Sequence, residues 1–308
     1  YSVPIHSLVT NSATTTRLID IGNLRFEVAE CGTGQRLALC LHGLPESAFS
    51  WRHQLPFLAS LGYRVWAPNL RGYGQSSRPV AVSDYHIDRL VEDIDGLIDA
   101  AGTDSVLLVG HDWGGIIAWM TALERRVSLS GLVIINAPHP AIFASRIFSW
   151  PQLRRSWYIF FFQIPRLPEY WLGRQEAREI ASAFLSMAVD KTRFSPTVLE
   201  VYRQQALIPG ALTAMVNYYR ANWKFLWATR PKLNRPIETP TLLIWGERDP
   251  VLGVDLTLGT TELVVDLTTH YLPNVSHWAQ QEAPEAVNEA IAAWLEAHEP
   301  PASARLSP

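Results

Sequence analysis

Short apolar runs bounded by turn residues alternate along this chain with longer stretches whose apolar residues recur at helical spacing. Leu37 to Leu41 is a continuous apolar run, the pattern of a strand buried on both faces. Tyr63 to Ala67, Ser105 to Val109, Leu132 to Ile135 and Thr241 to Trp245 read as further strands. Leu24 to Glu30 alternates, which predicts an edge strand, and Leu263 to Val265 reads as a last strand. Trp51 to Leu61 is helix-like. Ile87, Leu90, Val91, Ile94, Leu97 and Ile98 share one helical face opposite Asp88, Arg89, Glu92 and Asp93, and Gly102 stops that helix. Ile116 to Leu123 is apolar nearly all round, as suits a buried helix. Val287, Ile291, Trp294 and Leu295 lie on one face of a final helix.

Strands alternating with helices predict an α/β fold with a mostly parallel sheet covered on both faces. The alternation breaks from Pro140 to about Arg235, where the chain is aromatic, Arg-rich and helical in pattern. Such an insertion predicts a helical lid over the carboxyl ends of the strands, where sheets of this kind bind ligands. The expected division is a core of residues 1–138 and 236–308 and a cap of residues 139–235.

The chain has 308 residues, enough for one large domain or a core with an inserted lid. A net charge of −3 gives no footprint for nucleic acid or an anionic membrane. No apolar stretch reaches the ~20 residues a membrane helix needs. Tyr1 to Arg17 lacks the charged start and apolar core of a signal peptide, and the Pro/Ala/Ser-rich tail after Glu299 predicts no packed element. Cys31 and Cys40 cannot make a disulfide framework, so a reducing, cytoplasmic compartment is expected. With 12 Trp, some must pack the core and others are available to an apolar cleft.

The chemistry starts at Gly110-His111-Asp112-Trp113-Gly114-Gly115, directly after a strand and before a helix. This is a nucleophile elbow, with Asp112 at the position of the attacking side chain and glycines where the turn leaves no room. A carboxylate is a weak acyl nucleophile but displaces at saturated carbon, forming an ester on the enzyme. The motif therefore points to epoxides or alkyl halides rather than esters or amides. The other reading of Asp112, a strand-end residue capping the next helix, needs none of this chemistry.

Two later motifs complete a set. Gly246-Glu247-Arg248-Asp249-Pro250 follows a strand, and Asn274-Val275-Ser276-His277-Trp278 precedes the final helix. The order Asp112, Asp249, His277 is that of nucleophile, acid and histidine on α/β-hydrolase sheets. His277 is the candidate base that activates water, and Asp249 would hold its tautomer. Glu247 is a rival acid, while Asn136 cannot serve as one. In His42-Gly43-Leu44-Pro45-Glu46-Ser47 the backbone N–H of Leu44 can point into the site, and that of Trp113 is the second candidate oxyanion donor. His42 itself is given no catalytic role.

These motifs, with Arg71-Gly72-Tyr73-Gly74, make the chain resemble the α/β-hydrolase-fold epoxide hydrolases over nearly its whole length. The resemblance implies two lid tyrosines that hold and protonate the epoxide oxygen. Tyr158, five residues before Gln163 in a Tyr…Phe-Gln-Ile-Pro run, fits the first. Tyr219, in Tyr219-Arg220-Ala221-Asn222-Trp223, fits the second. Helix geometry agrees on the latter: Leu212, Met215, Val216 and Tyr219 share an apolar face, from which Tyr218 is turned by ~100°. Leu44 stands where the family often has Phe. The expected reaction converts an apolar epoxide and water to a vicinal diol, without metal or cofactor, in a monomer or homodimer; the aromatic lid suggests an aryl-bearing epoxide as one candidate.

Rivals differ in what they require. A haloalkane dehalogenase would use the same Asp, His and acid, with the Trp113 indole on the halide, but leaves paired lid tyrosines unexplained. A fluoroacetate dehalogenase wants an Arg clamp where Trp113 stands. A silent relative serving as a ligand receptor leaves the whole catalytic set unexplained. Arg154, Arg155 and Arg174 are expected on a solvated face.

Overall fold

The computed structural model describes residues 14–224 and 231–298. The readings for the first residues and for the tail after Glu299 lie outside that range, apart from Thr14 to Arg17. Eight strands form one sheet. They are β1 (Thr15–Ile21), β2 (Leu24–Cys31), β3 (Arg36–Leu41), β4 (Tyr63–Pro68), β5 (Val106–His111), β6 (Gly131–Ile135), β7 (Thr241–Gly246) and β8 (Leu267–Leu272). Their spatial order is β1-β2-β4-β3-β5-β6-β7-β8. β1 and β2 pair antiparallel, as do β2 and β4, and the remaining pairs are parallel.

Side chains of a strand alternate between faces, so each central strand feeds two cores. Leu37, Leu39 and Leu41 of β3, with Val106 and Leu108 of β5, pack beneath α2 (Ile87–Ala101) and α3 (Trp113–Glu124). Ala38, Cys40, Leu107 and Val109 pack on the opposite face with α1 (Gln54–Ser60) and α11 (Pro284–His298). Burial on both faces is why these strands read as unbroken apolar runs. Gly102, in the left-handed region at φ 62°, closes α2 as its position predicts.

Two strand expectations are corrected. β2 is not at the edge, because β1 pairs along its whole outer side. The last strand is Leu267–Leu272, not Leu263 to Val265. Val264 makes only an isolated bridge to Ile237 after a tight turn. β8 ends the sheet and is partly solvated, so Leu-Thr-Thr-His-Tyr-Leu carries no apolar run. The segment Trp51 to Leu61 divides into a 3-10 turn at Ala48–Trp51 and α1.

Between β6 and β7 the chain forms α4 (Pro140–Arg146), α5 (Trp150–Arg155), α6 (Trp157–Phe161), α7 (Leu167–Met187), α8 (Pro196–Ala206) and α9 (Ala211–Ala221). The short α10 (Ala279–Glu282) precedes α11. α7 is broken at Arg174–Ala177, where Arg174 is extended and the next three residues have positive φ. Among the described residues no helix is long and apolar enough to cross a membrane.

Candidate active site

The carboxyl ends of β3, β5, β6 and β7 lie side by side, and each delivers one part of the site. β5 ends at His111, and Asp112 turns the chain into α3 with φ 50° and ψ −121°, a conformation costly for a non-glycine residue. The glycines around it are required by contact. A side chain on Gly110 would strike Gly114, one on Gly114 would strike the Leu41 carbonyl, and one on Gly43 would run into Asp112 itself. Asp112 stands at the N-cap position of α3, but its side chain makes no bond to the first turn and so does not cap the helix.

Its carboxylate faces other partners. The Leu44 backbone N–H donates to Asp112 Oδ1 at 2.8 Å. His277 Nε2 lies 3.6 Å from Asp112 Oδ2. On its other side His277 Nδ1 is 2.7 Å from Asp249 Oδ2. Asp249 sits at the turn after β7, where its Oδ1 accepts the backbone N–H groups of Val251 and Leu252 at 2.8 and 2.9 Å. Glu247, the rival acid, is exposed. Burial pushes the Asp112 carboxyl up, but the hydrogen bond and charge of His277, the charge of His111 and the Leu44 N–H outweigh it, and it titrates below the ordinary carboxylate range. Burial alone would lower His277, yet the Asp249 charge and the two carboxylate hydrogen bonds push it up to about 10.

The two tyrosines also meet here. The rings of Tyr158 on α6 and Tyr219 on α9 stand edge to face with centroids 5.7 Å apart, and Tyr219 packs at 5.2 Å against Trp113. Burial foremost, with the Asp112 charge, raises the Tyr158 phenol, and burial with the Tyr158 and Asp112 charges raises Tyr219, so both stay protonated. Tyr218 points away and donates to the Arg71 carbonyl at 2.8 Å, as the helical face argument predicts. Trp113 opens α3, its backbone N–H following directly on Asp112.

A cavity of about 830 Å³ rises from Asp112, His277, Tyr158 and Tyr219 between α5, α6 and α7. Trp150, Trp157 and Trp171 line it. So do Arg154, which is exposed as expected, and Arg155, which is partly exposed. Arg155 is held toward Asp255 at 3.8 Å. Arg174 does lie outside, paired with Glu179.

Beneath the site is a buried polar network that the motifs contain but do not announce. Glu46 accepts from the Gly43 N–H, from His111 Nδ1 at 2.7 Å and from the amides of Gln280 and Gln281. His111 Nε2 meets the His277 carbonyl at 2.8 Å. Asn136 bonds Asp249. His42 takes a packing role: its Nδ1 donates to the Gly43 carbonyl, its Nε2 accepts the Leu70 N–H, and burial lowers its pKa to about 4.

Known proteins share this architecture. A family model described as alpha/beta hydrolase fold matches residues 39–284. Epoxide hydrolase 4 of Mus musculus is 38% identical over 286 residues, spanning 91% of this chain and 78% of the relative. Epoxide hydrolase A of Mycobacterium tuberculosis is 32% identical, spanning 92% of this chain and 98% of its own. The crystal structure of Bacillus megaterium epoxide hydrolase in complex with an inhibitor superposes with a TM-score of 0.83 at 29% identity, covering 91% of this chain and 100% of that one. Sequence, sheet and elbow agree, and the chain belongs to the epoxide hydrolase family of the α/β-hydrolase fold.

Proposed function

We propose that this chain hydrolyses an apolar epoxide to a vicinal diol in two steps, through an ester on Asp112. Leu44 holds Asp112 Oδ1, which leaves Oδ2 to attack an epoxide carbon. The ring C–O bond breaks, and the oxygen leaves with a proton from Tyr158 or Tyr219. Water then adds to the Asp112 ester carbonyl as His277 Nε2 takes its proton, with Asp249 stabilising the imidazolium. The N–H groups of Leu44 and Trp113 receive the oxyanion. On collapse the imidazolium gives its proton to the departing diol oxygen, and the second water proton, left on the Asp112 carboxyl, restores the phenol, so the diol leaves and one water oxygen stays in Asp112. Ring strain supplies the driving force, and the scheme draws on no cofactor.

The observation that carries this reading is the pair of tyrosines, in ring contact with each other, that line one cavity with the Asp112 carboxylate. A departing halide needs no proton, so the dehalogenase reading leaves both phenols idle. In the proposal residues 139–235 act as the cap over a core of 1–138 and 236–308. The two cysteines, buried and free, fit a reducing, cytoplasmic setting. The working unit is a monomer or homodimer, with epoxide and water as the only partners.

The test is a single turnover with excess protein in ¹⁸O-water. The expected result is an unlabelled diol, with label in the peptide bearing Asp112. Label in the first-turnover diol means direct attack by water. Halide release from a bromoalkane, with no diol from styrene oxide, selects the dehalogenase. Turnover of neither leaves the receptor reading.

A further inference from the structure

Asp112 and the two phenols stand between two cavities of very different size. The large one, about 830 Å³, opens between α5, α6 and α7. The small one, about 40 Å³, is walled by Trp113, Ile116, Ala137, Phe143, Ile159 and Leu252, among others. Among the described residues Asp112, Tyr158 and Tyr219 alone line both. Local structure explains the split. Tyr158 and Ile159 are neighbours on α6, and Ile159 lines the small cavity alone. Val251 and Leu252 are neighbours on the turn after Asp249, and they divide between the large and the small cavity.

An epoxide within reach of Asp112, its oxygen on the phenols, sends the substituents of its two carbons in opposite directions. One arm enters each cavity. The large cavity falls in the range of about 300–1,000 Å³ that holds drug-sized ligands. The small one has room for about three water-sized spheres at ~10–15 Å³ each, whereas a cavity that takes benzene is on the order of 150 Å³. A hydrogen or a short alkyl group fits, and an aryl ring does not. The walls are fixed: Phe143, Ile159 and Leu252 are all buried, and the Leu252 N–H is tied to Asp249 Oδ1.

We infer that the substrate is an unsymmetrical epoxide, with one bulky apolar arm and one arm no larger than a short alkyl group, and that Phe143 and Leu252 set that limit. This rests on the epoxide hydrolase reading above.

The test compares kcat/KM for three epoxides on the full chain: styrene oxide, trans-β-methylstyrene oxide and trans-stilbene oxide. The first two are hydrolysed, and the third lags by ~100-fold or more. Phe143→Ala and Leu252→Ala each raise the ratio of stilbene oxide to styrene oxide by roughly tenfold. Ile159→Phe, which fills the small cavity, lowers the ratio of the methyl-bearing to the terminal epoxide. Equal rates on styrene oxide and stilbene oxide overturn the inference and leave the hydrolase reading standing. No turnover of any of the three overturns that reading itself. Folded alanine variants with unchanged ratios overturn the assignment of Phe143 and Leu252. If either variant fails to fold, the three rates of the unaltered chain decide.

Discussion

Asn136 donates its side-chain amide to Asp249 Oδ2 at 2.9 Å, the same oxygen that receives His277 Nδ1. The Asn136 oxygen in turn accepts the Gly246 N–H at 2.9 Å, which staples the end of β7 to the end of β6. Asn136 holds φ 41° to do so. Replacing Asn136 with Ala strands the buried Gly246 N–H and removes one of the donors that orient Asp249. The expected cost is about 1–3 kcal/mol of stability, read from urea denaturation. Ester hydrolysis, which depends on Asp249 through His277, should slow more than ester formation. Stopped-flow tryptophan fluorescence separates the two steps, and equal slowing would refute the positioning role.

Glu46 and His111 form a buried pair with every partner accounted for. Four donors face the Glu46 carboxylate, and both His111 nitrogens lie within hydrogen-bond distance of an oxygen. Burial pushes the Glu46 carboxyl up, but the charge and hydrogen bond of His111 and the Gly43 N–H hold it below its usual value. A depressed carboxyl contributes stability that is full above its unfolded pKa and is lost as pH falls through the folded one. Glu46→Gln puts amide hydrogens where four donors converge and strands buried donors, which typically costs about 1–3 kcal/mol. Denaturant midpoints should drop at neutral pH and vary less with acid than those of the unaltered chain. A second change, His111→Gln, should recover part of the loss.

The elements most legible from sequence are those whose surroundings are uniform. β3, β5, β6 and β7 are buried on both faces, so apart from Arg36, His111 and Thr241 at their ends they are apolar or glycine and the run is visible. β1 and β8 end the sheet and mix threonine, arginine and histidine with leucine, so neither carries that mark. Asp112 and Asp249 stand out in the sequence because sharp turns at strand ends put glycine and proline beside them, whereas His277, between Ser276 and Trp278, stands out only by its place before the final helix. The Glu46–His111 pair is not, since its members lie 65 residues apart and meet only when β3 and β5 pair. The break in α7 has no proline to announce it. Cavity shape is the least legible, because it depends on how α4 to α9 pack and not on any local pattern.

Tyr158 and Tyr219 should act in the first step only. Removing either hydroxyl as Tyr158→Phe or Tyr219→Phe deletes one donor to the opening ring, for which losses of roughly 10²–10³-fold are typical. The loss should appear in the rate of ester formation, with ester hydrolysis much less affected. The double variant should form no ester detectable by mass spectrometry of the peptide bearing Asp112. Normal ester formation in the double variant would remove the phenols from the mechanism. Tyr218→Phe, which breaks only the bond to the Arg71 carbonyl, serves as the control for a structural effect.

The charge on His277 should change during the cycle. In the free protein it lies between two carboxylates, and its pKa, lowered by burial but raised more by Asp249 and Asp112, stands at about 10. The imidazole is therefore protonated at neutral pH before substrate arrives. Esterification removes the Asp112 charge, and with it the Asp112 contributions that raise His277. The imidazole should then lose its proton more easily and be free to act as the base proposed for the second step. Ester formation should be flat across about pH 6–9, while ester hydrolysis should rise with pH as the imidazole deprotonates. Stability should follow the opposite course. A raised pKa contributes stability that is full below the unfolded value of 6.5 and is lost as pH climbs through about 10. Urea midpoints of the unaltered chain should fall over that window, those of Asp112→Asn should fall less, and those of His277→Gln should show the least change. An unaltered slope in His277→Gln would mean that another group titrates there.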